Sequence, residues 1–192
     1  MLLTVRKRQE YLAFLGLYTG AIDNSEGPKT KAAYKALQQK YFTRDKDIDG
    51  KYGKNTDILL RNAYYVKKYT KNFELEEFKC DCGGKYCTGY PVELSIFLLE
   101  NIQAVRNQFG STQITSGMRC KNYNNSLVGS SKTSRHLSGK AVDFFVSQCK
   151  TLLGRTEVMA FWRNLPNYNY TYCNVRGSHP NMGNCIHGDV SK

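Results

Sequence analysis

Three residues in the C-terminal half of the sequence have side chains that could bind a metal ion together. His136 precedes Asp143 by seven residues in the stretch SRHLSGKAVDFF, and His187 lies in the final stretch CIHGDV. Two histidines and one aspartate are a common ligand set for catalytic zinc, with the fourth position left to water. Each of the three also has an ordinary structural explanation, because a single histidine in a strand is usually a packed core or surface residue. The spacing alone therefore leaves a zinc site and a structural role both open.

The residues around Asp143 and His187 predict that both lie on β-strands. The run AVDFFV is rich in β-branched and aromatic residues, as expected of a strand that enters a core. An ionised Asp143 within it would be costly to bury unless a cation lies beside it. In the last run, alternation places His187 and Asp189 on one face and the intervening Gly188 on the other. Two predicted strands thus each carry a candidate metal ligand.

The rest of residues 76–192 predicts an α+β domain with an antiparallel sheet. An amphipathic helix is expected within residues 91–110, a strand within the run STQITSG, and a second helix around Phe161. The Tyr- and Asn-rich stretch that follows this second helix is expected to be a loop.

The first 63 residues contain an internal repeat that predicts a small helical module. The stretches DNSEGPKT and DGKYGKNT share Asp, then Gly four residues later, then Thr three further, at an offset of 26 residues. Each precedes a run with helical spacing, and a third such run lies ahead of both and ends near Gly16. Taken singly, these Asp, Gly and Thr residues only indicate turns and helix caps. We predict three helices in residues 1–63 and a polar, basic linker at residues 64–75.

This pattern resembles the small peptidoglycan-binding domain found beside many cell-wall hydrolases. The resemblance covers roughly residues 3–63 and implies that this half of the chain binds the bacterial wall. The positions in register with that domain are Gln9, Leu12, Gly16, Gly20, Asp23, Gly27, Thr30, Ala33, Gln38, Asp49, Gly50, Gly53 and Thr56. Which of them contact glycan does not follow from the resemblance.

The C-terminal motifs resemble those of the zinc peptidases of bacterial wall metabolism. SRHLSGKAVDFF fits Ser-x-His-x-x-Gly-x-Ala-x-Asp, and CIHGDV fits the closing apolar-His-x-Asp. This is the pattern of the D-Ala-D-Ala carboxypeptidase and L-Ala-D-Glu endopeptidase group, which shares its core with hedgehog domains. The upstream segment of that group is matched by Ser116, Gly117, Arg119 and Asn124.

The resemblance assigns roles to individual residues. It implies that His136, Asp143 and His187 hold Zn²⁺, an ion that lowers the pKa of water and polarises a scissile carbonyl. It also implies that Arg119, whose planar guanidinium carries several N–H donors, pairs with a substrate carboxylate or with the oxyanion. A plain surface charge is the alternative for Arg119. Ser134 could support the site by hydrogen bonding or only form a turn.

The general base is not identified by the resemblance. Relatives usually carry an acidic residue three positions before the second histidine, or a histidine slightly further ahead. Here Asn184 and Met182 occupy those places. Asp189 is one candidate, because it shares the ligand face of its strand, but it could equally orient the imidazole of His187. His179 is the other candidate, with a surface role as its alternative.

The seven cysteines are an odd number, which argues against a complete disulfide framework in a chain without a signal peptide. Three of them, Cys80, Cys82 and Cys87, lie within the run CDCGGKYC. They could bind a second, structural zinc if a fourth ligand such as Cys120 came near. The alternative is that they simply pack in a loop.

Composition and charge limit the classes of partner that can be expected. The chain has 28 Lys+Arg against 16 Asp+Glu, a net charge of +12, and such a field attracts polyanions such as anionic wall polymers. The basic residues are spread along the chain rather than clustered with aromatics, so a nucleic-acid partner is not expected. No apolar run reaches the roughly 18 to 20 residues of a membrane span. The N-terminus lacks the features of a signal peptide.

The sequence therefore predicts a peptidoglycan hydrolase with a wall-binding module and a zinc peptidase domain that cleaves stem-peptide amide bonds. Without a signal peptide, an endolysin of phage or prophage origin is expected, made in the cytoplasm and released to the wall by a membrane-holing partner. One alternative is a carboxypeptidase that trims terminal D-Ala. Another is a wall-binding protein that has lost turnover. The oligomeric state is not predicted.

Overall fold

Six α-helices and one four-stranded antiparallel sheet make up the computed structural model, which describes residues 1–192. The predicted α+β class and antiparallel sheet are confirmed. The helices are α1 (Val5–Phe14), α2 (Pro28–Tyr41), α3 (Lys54–Tyr69), α4 (Ile96–Phe109), α5 (Lys121–Ser126) and α6 (Leu152–Arg163). The strands are β1 (Thr112–Ser116), β2 (Ala141–Val146), β3 (Tyr168–Cys173) and β4 (Ile186–Val190). No helix combines the length and the apolar character that a membrane crossing requires.

A buried glutamine on α1 organises the first copy of the internal repeat. The Nε2 atom of Gln9 lies 2.7 Å from Oδ1 of Asp23, 3.0 Å from the carbonyl of Ser25 and 3.2 Å from the Thr30 hydroxyl. Its Oε1 accepts the backbone N–H of Asn24 at 3.0 Å. The buried amide thus has partners for both its donor and its acceptor.

A second glutamine, on α2, organises the second copy in the same way. The Nε2 atom of Gln38 lies 3.1 Å from Oδ1 of Asp49, 3.1 Å from the carbonyl of Lys51 and 3.0 Å from the Thr56 hydroxyl. Its Oε1 accepts the backbone N–H of Gly50 at 2.7 Å. The repeated Asp and Thr therefore close loops around buried amides, which is a structural use of these residues.

The helix α3 runs through the first half of the predicted linker. It ends at Tyr69, and Val66 within it is 2% exposed. The prediction that residues 64–69 are a linker outside the helix is wrong, because Val66 and the neighbouring tyrosines continue the apolar side of the helix. Asn62 also ties α3 to the C-terminal half: its side chain bonds the carbonyl of Val92 and the N–H of Leu94, both at 2.8 Å. The main hydrophobic core is continuous across both halves.

Asp57 on α3 anchors the N-terminal residues. Its Oδ1 accepts the backbone N–H of Leu3 and the hydroxyl of Tyr52, each at 2.7 Å, and its Oδ2 accepts Nε–H of Arg61 at 2.7 Å. Burial acts to raise the pKa of Asp57, but these hydrogen bonds outweigh it and hold the pKa below its usual range.

The register of the sheet places four polar side chains in one row. The strand order is β1-β2-β4-β3. Asp143 on β2 is paired with Ser116 on β1 and with His187 on β4, and His187 is paired with Tyr172 on β3. Directly paired residues project from the same face of an antiparallel sheet. The row therefore crosses all four strands.

The opposite face of the sheet packs into the core. Phe144 lies against Trp162 of α6, with 5.6 Å between ring centroids. A Cβ atom on Gly188 would lie 2.5 Å from Cε2 of this tryptophan, so only glycine fits there. With this face filled by apolar side chains, the polar row faces outward into a cleft.

The Tyr- and Asn-rich stretch predicted as a loop is strand β3, so that prediction is wrong. It is an edge strand that pairs only with β4. Its exposed positions are polar or tyrosine, and tyrosine is a strong strand former. The polar composition therefore reflects the exposed edge of the sheet.

Candidate metal centre

The three predicted ligands converge at the floor of the cleft. His136 lies in a short 3₁₀ turn (Arg135–Ser138) ahead of β2. Its Nε2 is 3.3 Å from Nδ1 of His187 and 3.3 Å from Oδ1 of Asp143. The Nδ1 of His187 is 2.8 Å from the same carboxylate oxygen. All three residues are buried. The structure thus brings together the set that the sequence indicated.

Hydrogen bonds on the outer side of each ring fix which nitrogen carries a proton. Nδ1 of His136 is 2.7 Å from the carbonyl of Gly117, which can only accept, so this nitrogen must donate. Nε2 of His187 is 3.1 Å from Oδ2 of Asp189, a carboxylate that likewise accepts. A neutral imidazole carries one proton. In neutral rings with these outer donors, the two nitrogens that face Asp143 keep lone pairs; His187 can also take a second proton on Nδ1, which lies 2.8 Å from Oδ1 of Asp143.

This donor set fits zinc. Three lone-pair atoms that face one another repel unless a cation or proton lies between them. A tetrahedral site with metal–ligand distances of about 2.0–2.1 Å places its ligand atoms about 3.3 Å apart. Two of the three observed separations are 3.3 Å and the third is 2.8 Å. The arrangement therefore suits Zn²⁺ with a fourth position open toward the cleft.

The surroundings of the centre favour the ligand forms of His136 and Asp143 and favour the protonated form of His187. Burial lowers the pKa of His136, which keeps the ring neutral. Burial also acts to raise the pKa of Asp143, but contacts with both imidazoles outweigh it and hold the pKa below its usual range. For His187, burial acts to lower the pKa, and Asp143 and Asp189 together outweigh it and raise the pKa. A proton on Nδ1 of His187 and a metal ion are therefore alternatives at one position.

Arg119 holds the second oxygen of Asp143. Its Nη2 donates to Oδ2 at 2.7 Å, and its Nε and Nη2 donate to Oγ of Ser116 at 3.0 and 2.9 Å. This leaves Oδ1 of Asp143 for the centre. The Nη1 group has no hydrogen-bond partner within the protein, and Arg119 lines the cleft. The sequence predicts a cation beside a buried Asp143. The structure identifies this cation as the guanidinium of Arg119.

Asp189 lies behind His187, on the side of the ring away from Asp143. Its Oδ2 accepts from His187, and its Oδ1 accepts Nδ2–H of Asn169 at 2.7 Å. Asp189 is 4% exposed. Both oxygens are thus engaged, and the position is that of a group that orients the imidazole.

His179 lies in the wall of the cleft, whose volume is about 1050 Å³. Its ring packs on Tyr172 with 4.6 Å between centroids, and Tyr172 in turn stacks on His187 at 4.7 Å. No ring nitrogen of His179 bonds another protein group; its backbone N–H alone donates, to Asn174. Both ring nitrogens of His179 are therefore without a protein partner in the wall of the cleft.

Ser134 forms a turn, which is one of the two roles that the sequence left open for it. Its carbonyl accepts the N–H of Leu137 at 3.0 Å and begins the turn that carries His136. Its hydroxyl makes no hydrogen bond to the site. Sequence reasoning missed Asp81, which lines the cleft within the run CDC, and Tyr172, which lies on the strand taken for a loop. Alternation along that strand is the signal that could have found Tyr172.

The fold and the site together define an α+β protein with a candidate His–Asp–His metal centre on an antiparallel sheet. The protein-family model described as Peptidase M15 matches residues 71–174, more than half of the 192 residues. The chain therefore belongs to the Peptidase M15 family, whose peptidases are zinc-dependent. The match includes His136 and Asp143 and ends before β4, so His187 and Asp189 lie beyond it. A search of curated proteins found no match.

Proposed function

We propose that the protein is a zinc-dependent peptidoglycan peptidase that hydrolyses amide bonds in the stem peptide of the bacterial wall. The observation that carries the proposal is the convergence of His136, Asp143 and His187 on one point at the floor of a large cleft, in a chain of the Peptidase M15 family. The cleft is large enough for several residues of an extended peptide, which favours cleavage within a stem.

His136 through Nε2, His187 through Nδ1 and Asp143 through Oδ1 would hold the zinc ion. When bound, zinc supplies Lewis acidity, which lowers the pKa of water and polarises a carbonyl. Asp189 keeps His187 in the tautomer that offers Nδ1. The Nη1 group of Arg119 binds a substrate carboxylate or the developing oxyanion, because Arg119 lines the cleft and this group has no partner within the protein.

His179 is our candidate for the general base. It takes the proton from the attacking water and passes it to the leaving amine, a task that imidazole performs more often than any other side chain. Its support is the position of its ring over Tyr172, together with two ring nitrogens that bond no protein group. The ring of Tyr172 separates it from His187, so it can act without competing for the metal.

Residues 1–63 serve in this proposal as the wall-binding module, and residues 76–192 as the peptidase domain. The support is the resemblance to peptidoglycan-binding domains and the paired glutamine networks that shape this half. Attachment to the wall would raise the effective concentration of the peptidase at its substrate. An endolysin of phage or prophage origin that reaches the wall during lysis fits this arrangement, and the net charge of +12 suits anionic wall polymers.

One observation favours a second candidate, a D-Ala-D-Ala carboxypeptidase. The unpaired Nη1 of Arg119 beside the centre is well placed to bind the terminal carboxylate of a stem peptide. Such an enzyme would release single D-Ala residues, whereas an endopeptidase would release fragments with new amino termini.

Mass spectrometry of digested sacculi tests the proposal. Wild-type protein should release peptides with new amino termini, and His136→Ala and His179→Gln should both release far less. Zinc content separates the two variants, because only His136→Ala should lose zinc from this centre. Release of D-Ala alone would select the carboxypeptidase. Equal digestion by wild type and His136→Ala would contradict the metal mechanism.

Wall attachment is tested separately with the full-length His136→Ala chain. It should co-sediment with sacculi, and soluble glycan fragments should compete with this binding. Binding that disappears in moderate salt and resists glycan competition would show that the positive charge alone carries it.

A further inference from the structure

Four cysteines form a small cluster apart from the main core. Cys80, Cys82 and Cys87 come from the loop that precedes α4, and Cys120 from the residue ahead of α5. Their Sγ atoms all lie within 4.8 Å of one another, and those of Cys82 and Cys87 are 3.5 Å apart. No pair forms a disulfide.

These separations suit a metal ion and not a disulfide. A disulfide needs about 2.05 Å between sulfurs. Four thiolates at about 2.3 Å from a central zinc lie about 3.8 Å from each other. The Cys82–Cys87 separation of 3.5 Å is close to this value, and no separation between sulfurs of the cluster exceeds 4.8 Å. Four cysteine ligands are also the common composition of a closed structural zinc site.

The backbone around the cluster is shaped to hold the sulfurs inward. The N–H of Cys120 donates to Sγ of Cys80 at 3.3 Å, a contact that stabilises a thiolate. Gly83 and Gly84 have φ of 59° and 82°, a left-handed conformation that turns the chain back between Cys82 and Cys87. The turn permits the unusual Cys-x-Cys-x₄-Cys spacing to place three sulfurs on one point.

We propose that Cys80, Cys82, Cys87 and Cys120 bind a second, structural Zn²⁺ that is separate from the His–Asp–His centre. Binding displaces the thiol protons into solvent and closes the coordination shell with four protein ligands, so no position is left for water or substrate. The inference does not depend on the proposed function, since a structural zinc would be present whether or not the protein cleaves the wall.

The second zinc would fix the segment that serves the first centre. Cys120 follows directly on Arg119, which holds Asp143. The N–H of Met118 also donates to the carbonyl of Phe78 at 2.9 Å, next to the start of the cysteine loop. The metal would therefore lock the loop to the backbone that carries Arg119.

Metal analysis of the full-length protein, purified under reducing conditions with zinc present, tests the inference. Wild type should contain two zinc ions per chain, and His136→Ala and Cys87→Ser one each. Cys87 is the most exposed member of the cluster, so its substitution disturbs packing least. Cys185→Ser, a half-buried cysteine outside the cluster, is the matched control and should keep two.

Cobalt substitution of the wild-type protein supplies a readout that does not require a variant to fold. Cobalt-loaded wild type should show the intense near-ultraviolet charge-transfer band of thiolate-bound tetrahedral cobalt. His136→Ala should keep this band, and Cys87→Ser should lose most of it. A folded wild type with no such band, or with a disulfide within the cluster by native mass, would overturn the inference. A cysteine site that holds metal in a protein that leaves sacculi intact would instead contradict the proposed function alone.

Discussion

Replacing Asp189 by alanine should weaken zinc binding at the His–Asp–His centre while leaving the sheet folded. The substitution removes the acceptor of Nε2–H of His187, 3.1 Å away, and of Nδ2–H of Asn169, 2.7 Å away. His187 is buried, so water cannot readily replace the carboxylate. The ring is then free to carry its proton on Nδ1, the atom that must face the metal.

The expected size follows from the indirect role of the carboxylate. Loss of a group that orients a metal-bound histidine typically lowers metal affinity roughly 10–100-fold, which is about 1.4–2.8 kcal/mol. Asp189→Asn should fall between wild type and alanine, because its single amide oxygen can keep the hydrogen bond to His187 while the charge and the acceptor for Asn169 are lost. Asn169→Ala is the control, since it removes the other contact of Asp189 and leaves the bond to His187.

Competition with a chromogenic zinc chelator at fixed pH measures the affinities, and circular dichroism checks that each variant is folded. The cysteine cluster should keep its zinc in every variant, so that its zinc content serves as an internal reference. Unchanged zinc affinity at the His–Asp–His centre of Asp189→Ala would refute the orienting role. A variant that keeps its zinc but loses all turnover would instead return Asp189 to the role of general base.

Three other substitutions test contacts of the same structure. Arg119→Lys should lower kcat/KM on wall fragments roughly 100-fold with zinc content unchanged, because the ammonium can still pair with Asp143 but lacks the further N–H donors with which the guanidinium binds substrate; loss of zinc would contradict this. Gly188→Ala should destabilise the protein by about 1–3 kcal/mol in denaturant unfolding, because its Cβ would lie 2.5 Å from Trp162. Asp57→Asn should cost about 1–3 kcal/mol at neutral pH. Since the folded-state pKa of Asp57 is lowered, its contribution is complete above the unfolded value of about 3.9 and is lost as pH falls further, so the unfolding free energies of wild type and variant should converge in acid.

Strand periodicity is local, so it could predict which residues of the last strand share a face. The full ligand set was implied by the resemblance to zinc peptidases, and His136 lies in a turn outside any strand. Alternation in the last strand puts His187 and Asp189 on one face, and the structure shows their side chains in contact. The pairing of Asp143 with His187 across β2 and β4 was not predictable, because register depends on turns and packing far from either residue. The contact between Arg119 and Asp143 was not predictable for the same reason, because it depends on how separate segments of the chain pack. From the sequence one could infer that a buried Asp143 needs a neighbouring cation, but not that Arg119 is that cation.

The two errors in the fold arise where polar or aromatic residues obscure the period. In α3, tyrosines between residues 64 and 69 share the helix with lysines, so the stretch has the composition of a linker although Val66 is buried. In β3, the edge position lets most side chains contact water, which removes the apolar alternation by which strands are recognised. In both cases the tertiary neighbours, and not local preference, decide which side chains are covered.

The short segment of residues 116–120, with the sequence SGMRC, contacts both candidate metal sites. Gly117 directs its carbonyl to His136, and a side chain there would collide with the backbone of Phe78. Arg119 donates to Asp143, and Cys120 belongs to the cysteine cluster. A segment with three fixed partners has little freedom to shift, so the tautomer of His136 and the free oxygen of Asp143 are set by the same few backbone torsions. The geometry of the candidate His–Asp–His centre therefore depends on how this segment packs against the cysteine loop.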